Sequence, residues 1–165
     1  MHAIGAQNAC PNRQVISLSG DGGFTMMMGE MLTLKQLNLP VKIFVFNNEE
    51  LSFIAMEMKA SGYLDYATDF VNPDFGKLAE AAGIKGVSIQ NSSEVDEKIM
   101  EALNHNGPVI VNVHVDKQEL AMPPKIAYQQ AKGFSKYLIN AILDGRGTEL
   151  KEMAKTNWMK YKSLY

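Results

Sequence analysis

Cysteine is nearly missing from this sequence. Cys10 is the only one in 165 residues, so no disulfide can form within the chain, and the composition suits a reducing cytoplasm. Long hydrophobic runs are missing too: the longest, around Ile43 to Phe46, falls far short of the ~20 residues a helix needs to cross a bilayer. Neither a secretory signal pattern nor a spanning segment is legible. There is no basic excess, because 16 Lys and Arg against 18 Asp and Glu leave a formal net charge of −2, which offers nucleic acid no electrostatic footprint. The chain has no Gly-Lys-Ser/Thr of a P-loop, and Thr25 stands where a dinucleotide fingerprint needs its third glycine. His105 and His114 have no partners at metal-ligand spacing and read as structural, and His2 reads as structural rather than catalytic. What remains is 46% hydrophobic and 21% charged, a chain of ordinary domain size with enough apolar residues for a sizeable core.

What is present centres on Gly20-Asp21-Gly22-Gly23 and Asn47-Asn48. Residues 14–19 read as a short buried strand and residues 41–46 as another, so each polar cluster sits at the carboxyl end of a strand. Asp21 and Asn48 are 27 positions apart, close to the ~30 residues of one strand-helix-strand unit. The two side chains are therefore expected in one crevice beyond neighbouring parallel strands, where open α/β sheets bind ligands. The carboxylate of Asp21 and the amide oxygen of Asn48 are hard ligands suited to Mg²⁺ or Ca²⁺, and the main-chain carbonyl of Glu50 can add a third. Gly22 and Gly23 let backbone N–H groups approach a diphosphate, and a helix starting near Phe24 would point its positive end the same way. The pattern reads as half of a metal–diphosphate site.

Around that site the chain alternates helices and strands. Residues 1–7 read as the end of a helix and Pro11-Asn12-Arg13 as a turn. A helix is expected over 24–38, with Met27, Met31, Leu34 and Leu37 as its apolar stripe, its four methionines as core filler, and its end before Pro40. Residues 51–59 form a further helix over the site, which Phe53, Ile54 and Glu57 can line. Phe53 reads either as a packed aromatic or as an active-site one, and Glu57 either as a solvated ion pair or as a lining residue. A loop follows over 61–71. Asn72 is the expected cap of a helix started by Pro73 and stopped by Gly83. A strand is expected over 84–89, a capping box at Ser93 and Asp96, a helix striped by Val95, Ile99 and Leu103, and a last strand over 108–115. Met122-Pro123-Pro124 is a linker-like break before helices over 126–143 and 148–158. The alternation predicts an α/β fold, a parallel sheet between two helical layers, with residues 1–122 as the α/β domain and 123–165 as a helical extension.

Gly20-Asp21-Gly22 through Asn47-Asn48 resembles the signature of thiamine diphosphate enzymes. With Asp21-Gly22-Gly23-Phe24, Pro40-Val41-Lys42-Ile43, Phe53-Ile54-Ala55-Met56-Glu57-Met58-Lys59-Ala60, Gln130-Ala131-Lys132-Gly133-Phe134-Ser135 and Ala154-Lys155-Thr156-Asn157-Trp158, nearly the whole chain is similar to the carboxy-terminal cofactor domain of pyruvate oxidases, most of all the quinone-linked branch. The resemblance implies a three-layer α/β/α fold that binds thiamine diphosphate and Mg²⁺. It places cofactor contacts at Gly20, Asp21, Gly22, Gly23, Asn48, Glu50, Leu51, Ser52 and Phe53, metal ligands at Asp21, Asn48 and the Glu50 carbonyl, and catalytic contacts at Phe53 and Glu57. The implied reaction takes pyruvate to acetate and CO₂, with FAD in the complete enzyme passing electrons to a membrane quinone. It also implies a homo-oligomer, dimer or tetramer, and two further domains ahead of this one. The activating glutamate comes in such enzymes from another subunit's amino-terminal domain, so these 165 residues alone are expected to be inactive.

The tail carries one further expectation. Met153, Ala154, Trp158 and Tyr161 recur at helical spacing beside Lys151, Lys155, Lys160 and Lys162, a combination that suits either peripheral contact with the inner face of the cell membrane or packing on the protein itself. Two enzyme alternatives share the metal motif: a phosphate- and oxygen-dependent pyruvate oxidase and an acetolactate synthase. A stable interaction domain that binds no cofactor is the alternative of another class.

Overall fold

The apolar stretches between polar turns become four strands, β1 (Ile16–Gly20), β2 (Lys42–Asn47), β3 (Lys85–Ile89) and β4 (Val109–His114). The structure, a computed structural model, describes residues 2–117 and 127–163. It divides into two units, Met1–Glu49 with Val71–Val115, and Glu50–Phe70 with Asp116–Tyr165. The break expected at Met122-Pro123-Pro124 lies outside the described residues.

In the first unit all strand pairs are parallel and the order is β1-β2-β4-β3. Central β4 is buried from Val109 through Asn112, which is why it reads as an almost continuous apolar run. The strand period of two sends Val45 and Ile110 to one face, where they pack with Phe24, Met31, Leu34, Phe75 and Ala79. Phe44, Val87, Val109 and Val111 go to the other, against Ala102 of α6 (Val95–Asn104). Helices α1 (His2–Ala9), α2 (Asp21–Met26), α3 (Met31–Leu37) and α5 (Phe75–Ala81) supply side chains to the first face. The α/β expectation holds: a four-stranded parallel sheet with helices on both faces. Strand β1 departs from the buried strand expected over 14–19. It is an edge strand starting at Ile16, and Ile16 and Leu18 are exposed because the α6 side chains cover only the β3–β4 half of that face.

The single helix expected over 24–38 is broken. Its place is taken by α2, a 3₁₀ turn over Met28–Glu30, and α3. Glycines at 22, 23 and 29 weaken helix propensity, and Met27 leaves the helical region at φ −126°. The break shifts the helical phase, so Phe24, Met31 and Leu34 face the core while Met26, Met27 and Leu37 are exposed. Of the four methionines read as filler, Met28 and Met31 pack on the core. Helix α3 does end before Pro40, through Asn38 at φ 47°, a left-handed cap that asparagine tolerates. Lys42, buried and pushed below its usual range by that burial, donates to the carbonyls of His105 and Gly107, both at 2.6 Å, and so holds the loop before β4.

Two caps also differ from expectation. Helix α5 is capped by Asp74, not Asn72: its Oδ1 accepts from the N–H groups of Gly76 (2.9 Å) and Lys77 (3.2 Å) and from the Ser88 hydroxyl (2.5 Å). Pro73 stands ahead of the cap rather than inside the helix, and the side chain of Asn72 is engaged elsewhere. Ser93 falls within a 3₁₀ turn over Ser92–Glu94, so no capping box with Asp96 forms, and Glu94 precedes α6 without a side-chain cap bond. Burial works against ionisation of Asp74, but the Ser88 hydroxyl and the two backbone donors outweigh it and hold the carboxyl below its ordinary value. A carboxyl depressed in the folded state stabilises above its unfolded pKa, near 4, and loses that contribution as the pH falls through the folded value. Asp74→Ala should therefore cost about 1 kcal/mol or more at neutral pH, with the gap from wild type narrowing in denaturant titrations below about pH 4.

The second unit holds α4 (Ser52–Ala60), α7 (Tyr128–Leu143) and α8 (Gly147–Ser163). Tyr137, Ala141 and Met153 form its core with Phe134, Leu138 and Leu150. The Tyr137 hydroxyl donates to Glu149 (3.0 Å), which also pairs with Lys59 (3.2 Å). Burial, then the Glu149 charge, raises that hydroxyl's pKa well beyond the usual tyrosine range. The loop expected over 61–71 has neither helix nor strand, apart from an isolated bridge between Glu50 and Asp69.

Candidate cofactor and metal site

Because β1 and β2 pair in parallel, their carboxyl ends lie side by side, and the residues that follow them meet. Asp21, only 2% exposed, accepts at Oδ1 from the N–H of Gly22 (2.8 Å) and at Oδ2 from the N–H of Glu49 (2.8 Å) and the amide of Asn72 (2.8 Å). Asn47, also 2% exposed, accepts at Oδ1 from Asn72 (3.0 Å) and from the N–H of Glu49 (3.3 Å), and donates to Oδ1 of Asn112 (3.2 Å). Glu49 has φ 58°, a left-handed conformation uncommon for a residue with a side chain and often found at functional sites. That conformation turns its N–H onto Asp21. Asn48 lies half-buried within the same turn. The polar row continues from Asn112 Nδ2 to Asp74 Oδ1 (3.4 Å) and to the His114 ring (3.1 Å).

Asp21 and the Asn47-Asn48 turn thus come together as the strand spacing predicts. Helix α2 starts at Asp21 rather than near Phe24 and has only six residues, so its dipole is small and Gly22 and Gly23 lie in its first turn. A Cβ built on Gly20 would meet nothing within 4 Å, and one on Gly23 would meet only the Ser19 hydroxyl at 3.4 Å; the ground beside the turn is open. The other expected contacts belong to the second unit. Glu50 is buried, its carbonyl accepts from the Ser52 hydroxyl (3.5 Å), and its carboxyl is pushed up by burial against the opposing pull of Lys59 and Lys117. The Leu51 N–H donates to the Thr68 carbonyl at 2.8 Å. Phe53, 72% exposed, is no packed aromatic. It shares an exposed face of α4 with Glu57, which makes no ion pair among the described residues, while Ala55 and Lys59 are the buried positions.

Three participants escape the sequence reading. Asn72 precedes a proline and reads as a helix cap. Asp74 is indistinguishable from a surface acid. Asn112 does leave a signal, since a polar residue inside the apolar run of β4 needs a buried partner.

A family model described as "Thiamine pyrophosphate enzyme, C-terminal TPP binding domain" matches residues 2–113. The chain belongs to this family. Over 154 residues it is 37% identical to the thiamine pyrophosphate-containing protein YdaP of Bacillus subtilis, covering 93% of this chain and 27% of YdaP. It is 40% identical over 122 residues to the mitochondrial acetolactate synthase catalytic subunit of Saccharomyces cerevisiae, covering 73% of this chain and 18% of that protein. With the acetolactate synthase isozyme 2 large subunit of Escherichia coli it shares 36% identity over 123 residues, 73% of this chain and 22% of that one. The chain spans roughly a quarter or less of the length of these relatives.

The residues of this TPP-binding domain suit the group its family binds. Among the described residues the buried Asp21 carboxylate is held by neutral donors, which leave its charge for a cation, and with asparagine amide oxygen it makes the hard-oxygen set that Mg²⁺ prefers. Among the described residues no group of three or more His, Cys, Asp or Glu is placed to hold a metal. A cation bound by Asp21 would complete its coordination with amide, carbonyl, phosphate or water oxygens. Among the described residues no helix is long and apolar enough to cross a membrane.

Proposed function

We propose that this chain is the cofactor-anchoring part of a thiamine diphosphate- and FAD-dependent enzyme that oxidatively decarboxylates pyruvate to acetate and passes electrons to quinone. The observation that carries its cofactor-anchoring part is the buried Asp21 carboxylate beside the strained Asn47–Glu49 turn. In this role Asp21 and Asn48 hold Mg²⁺, and the open ground at Gly20 and Gly23 receives the diphosphate. Thiamine diphosphate, when bound, supplies the electron sink for decarboxylation. The exposed α4 face with Phe53 and Glu57 offers substrate and redox contacts.

The stretches 53–60, 130–135 and 154–158 support a pyruvate oxidase. The alignment with the thiamine pyrophosphate-containing protein YdaP runs over 154 residues, against 122 to 124 for the acetolactate synthases. In α8, Met153 is buried and Leu150 packs beside it, whereas Lys151, Lys155 and Trp158 are exposed. That outward side is the part proposed to meet an anionic membrane surface; the side chains of Lys160, Tyr161 and Lys162 lie outside the described residues. The 36–40% identity to acetolactate synthases favours a second reading, in which the same site joins pyruvate to another keto acid. Assay of the complete protein separates the readings. Pyruvate-dependent reduction of a quinone is expected; turnover only with phosphate and oxygen, or only with a second keto acid, overturns the proposal. The 165 residues alone should show no decarboxylation above the free-cofactor background.

A further inference from the structure

The stretch Asn72-Pro73-Asp74 crosses the carboxyl ends of the sheet and grips it at both ends. Asp74 binds Ser88 of β3 and Asn112 of β4. Asn72 reaches the other two strands, with one amide nitrogen 2.8 Å from Asp21 Oδ2, directly after β1, and 3.0 Å from Asn47 Oδ1, the last residue of β2. An amide nitrogen carries two hydrogens, and here there are two acceptors for them. Pro73 fixes its own φ and drives the residue before it to extended backbone, so the reach of Asn72 is set by the chain rather than by a free rotor.

We propose that Asn72 is a positioning residue of the cofactor anchor: its amide holds the Asp21 carboxylate and the turn carrying Asn48 in binding geometry before the cation arrives. The inference rests on the reading of Asp21 and Asn48 as that anchor. The left-handed Glu49 is the reason a clamp is needed, because such a conformation persists only where its surroundings over-determine it. The Glu49 N–H is held by the same two oxygens that Asn72 ties together. Without Asn72 each oxygen loses a donor, the carboxylate can rotate, and the turn can relax, taking Asn48 with it. Mg²⁺ demands near-ideal octahedral geometry and tolerates such loosening poorly. Groups that orient metal ligands typically account for 10- to 100-fold in affinity.

The test is a Mg²⁺ titration at saturating thiamine diphosphate, following cofactor binding by calorimetry, on the wild-type chain, on Asn72→Leu, which keeps the volume and removes both donors, and on Asn72→Ser, which keeps one. The Mg²⁺ midpoint should rise roughly 10- to 100-fold in Asn72→Leu and less in Asn72→Ser, with the full bound fraction regained at high Mg²⁺. An unchanged midpoint in both variants overturns the inference, as does a bound fraction that stays below wild type at saturating Mg²⁺ while the midpoint is unmoved, the mark of partial unfolding. If the wild-type chain itself shows no Mg²⁺-dependent binding, the anchor reading fails and the clamp falls with it.

Discussion

Replacing Asp21 by alanine removes Mg²⁺-dependent binding of thiamine diphosphate, an expected loss on the order of 100-fold or more, since even groups that only orient a ligand account for up to that much. The reason lies in what surrounds the carboxylate. It is buried, and its donors are two backbone N–H groups and an asparagine amide, all neutral. None of these donors brings a negative charge of its own to the cation, and water replaces a carboxylate ligand poorly beside a diphosphate. Asp21→Asn should fall nearly as far, because it keeps the shape and loses the charge. Asn48→Ala should fall less, as it removes a neutral ligand. Calorimetric titration of Mg²⁺ and thiamine diphosphate into the variants is the measurement, and wild-type affinity in both Asp21→Ala and Asn48→Ala would end the idea.

Gly86→Ala should be the most destabilising small substitution in the first unit. Its added Cβ would stand 1.9 Å from the carbonyl oxygen of Gly76 and 2.6 Å from the carbonyl carbon. Both belong to backbone, so no rotamer change relieves the clash and α5 must move off β3. That displacement also pulls at Asp74, Ser88 and Asn112, one end of the grip on the sheet. A cost of about 3 kcal/mol or more is expected, roughly a 10 °C drop in melting temperature for a chain of this size. Gly5→Ala is the control: it lies in α1, its Cβ would meet nothing within 4 Å, and replacing a helical glycine should stabilise by about 0.5–1 kcal/mol. Equal melting temperatures for Gly86→Ala and wild type would refute this account of the α5–β3 contact.

The pairing of Asp21 with the Asn47-Asn48 turn was legible because two local rules suffice for it: apolar runs become strands, and a spacing near thirty residues makes them parallel neighbours. Boundaries set by propensity were less legible. The break at Met27 depends on three glycines acting together, and the cap at Asp74 on Ser88, a residue fourteen positions away. An Asn-Pro pair looks the same whether its asparagine caps a helix or crosses to another strand.

By itself the sequence determined the α/β class, the parallel order of the first two strands and the meeting of Asp21 with the Asn47-Asn48 turn, because period, spacing and side-chain type are properties of neighbours in the chain. Only the tertiary structure decided that Asn72 and Asn112 join the site, that Glu49 adopts φ 58° and that Phe53 stays exposed. The first two depend on groups 25 to 65 positions apart meeting at the sheet ends, where a buried donor or acceptor must find a partner and the chain strains locally to provide one.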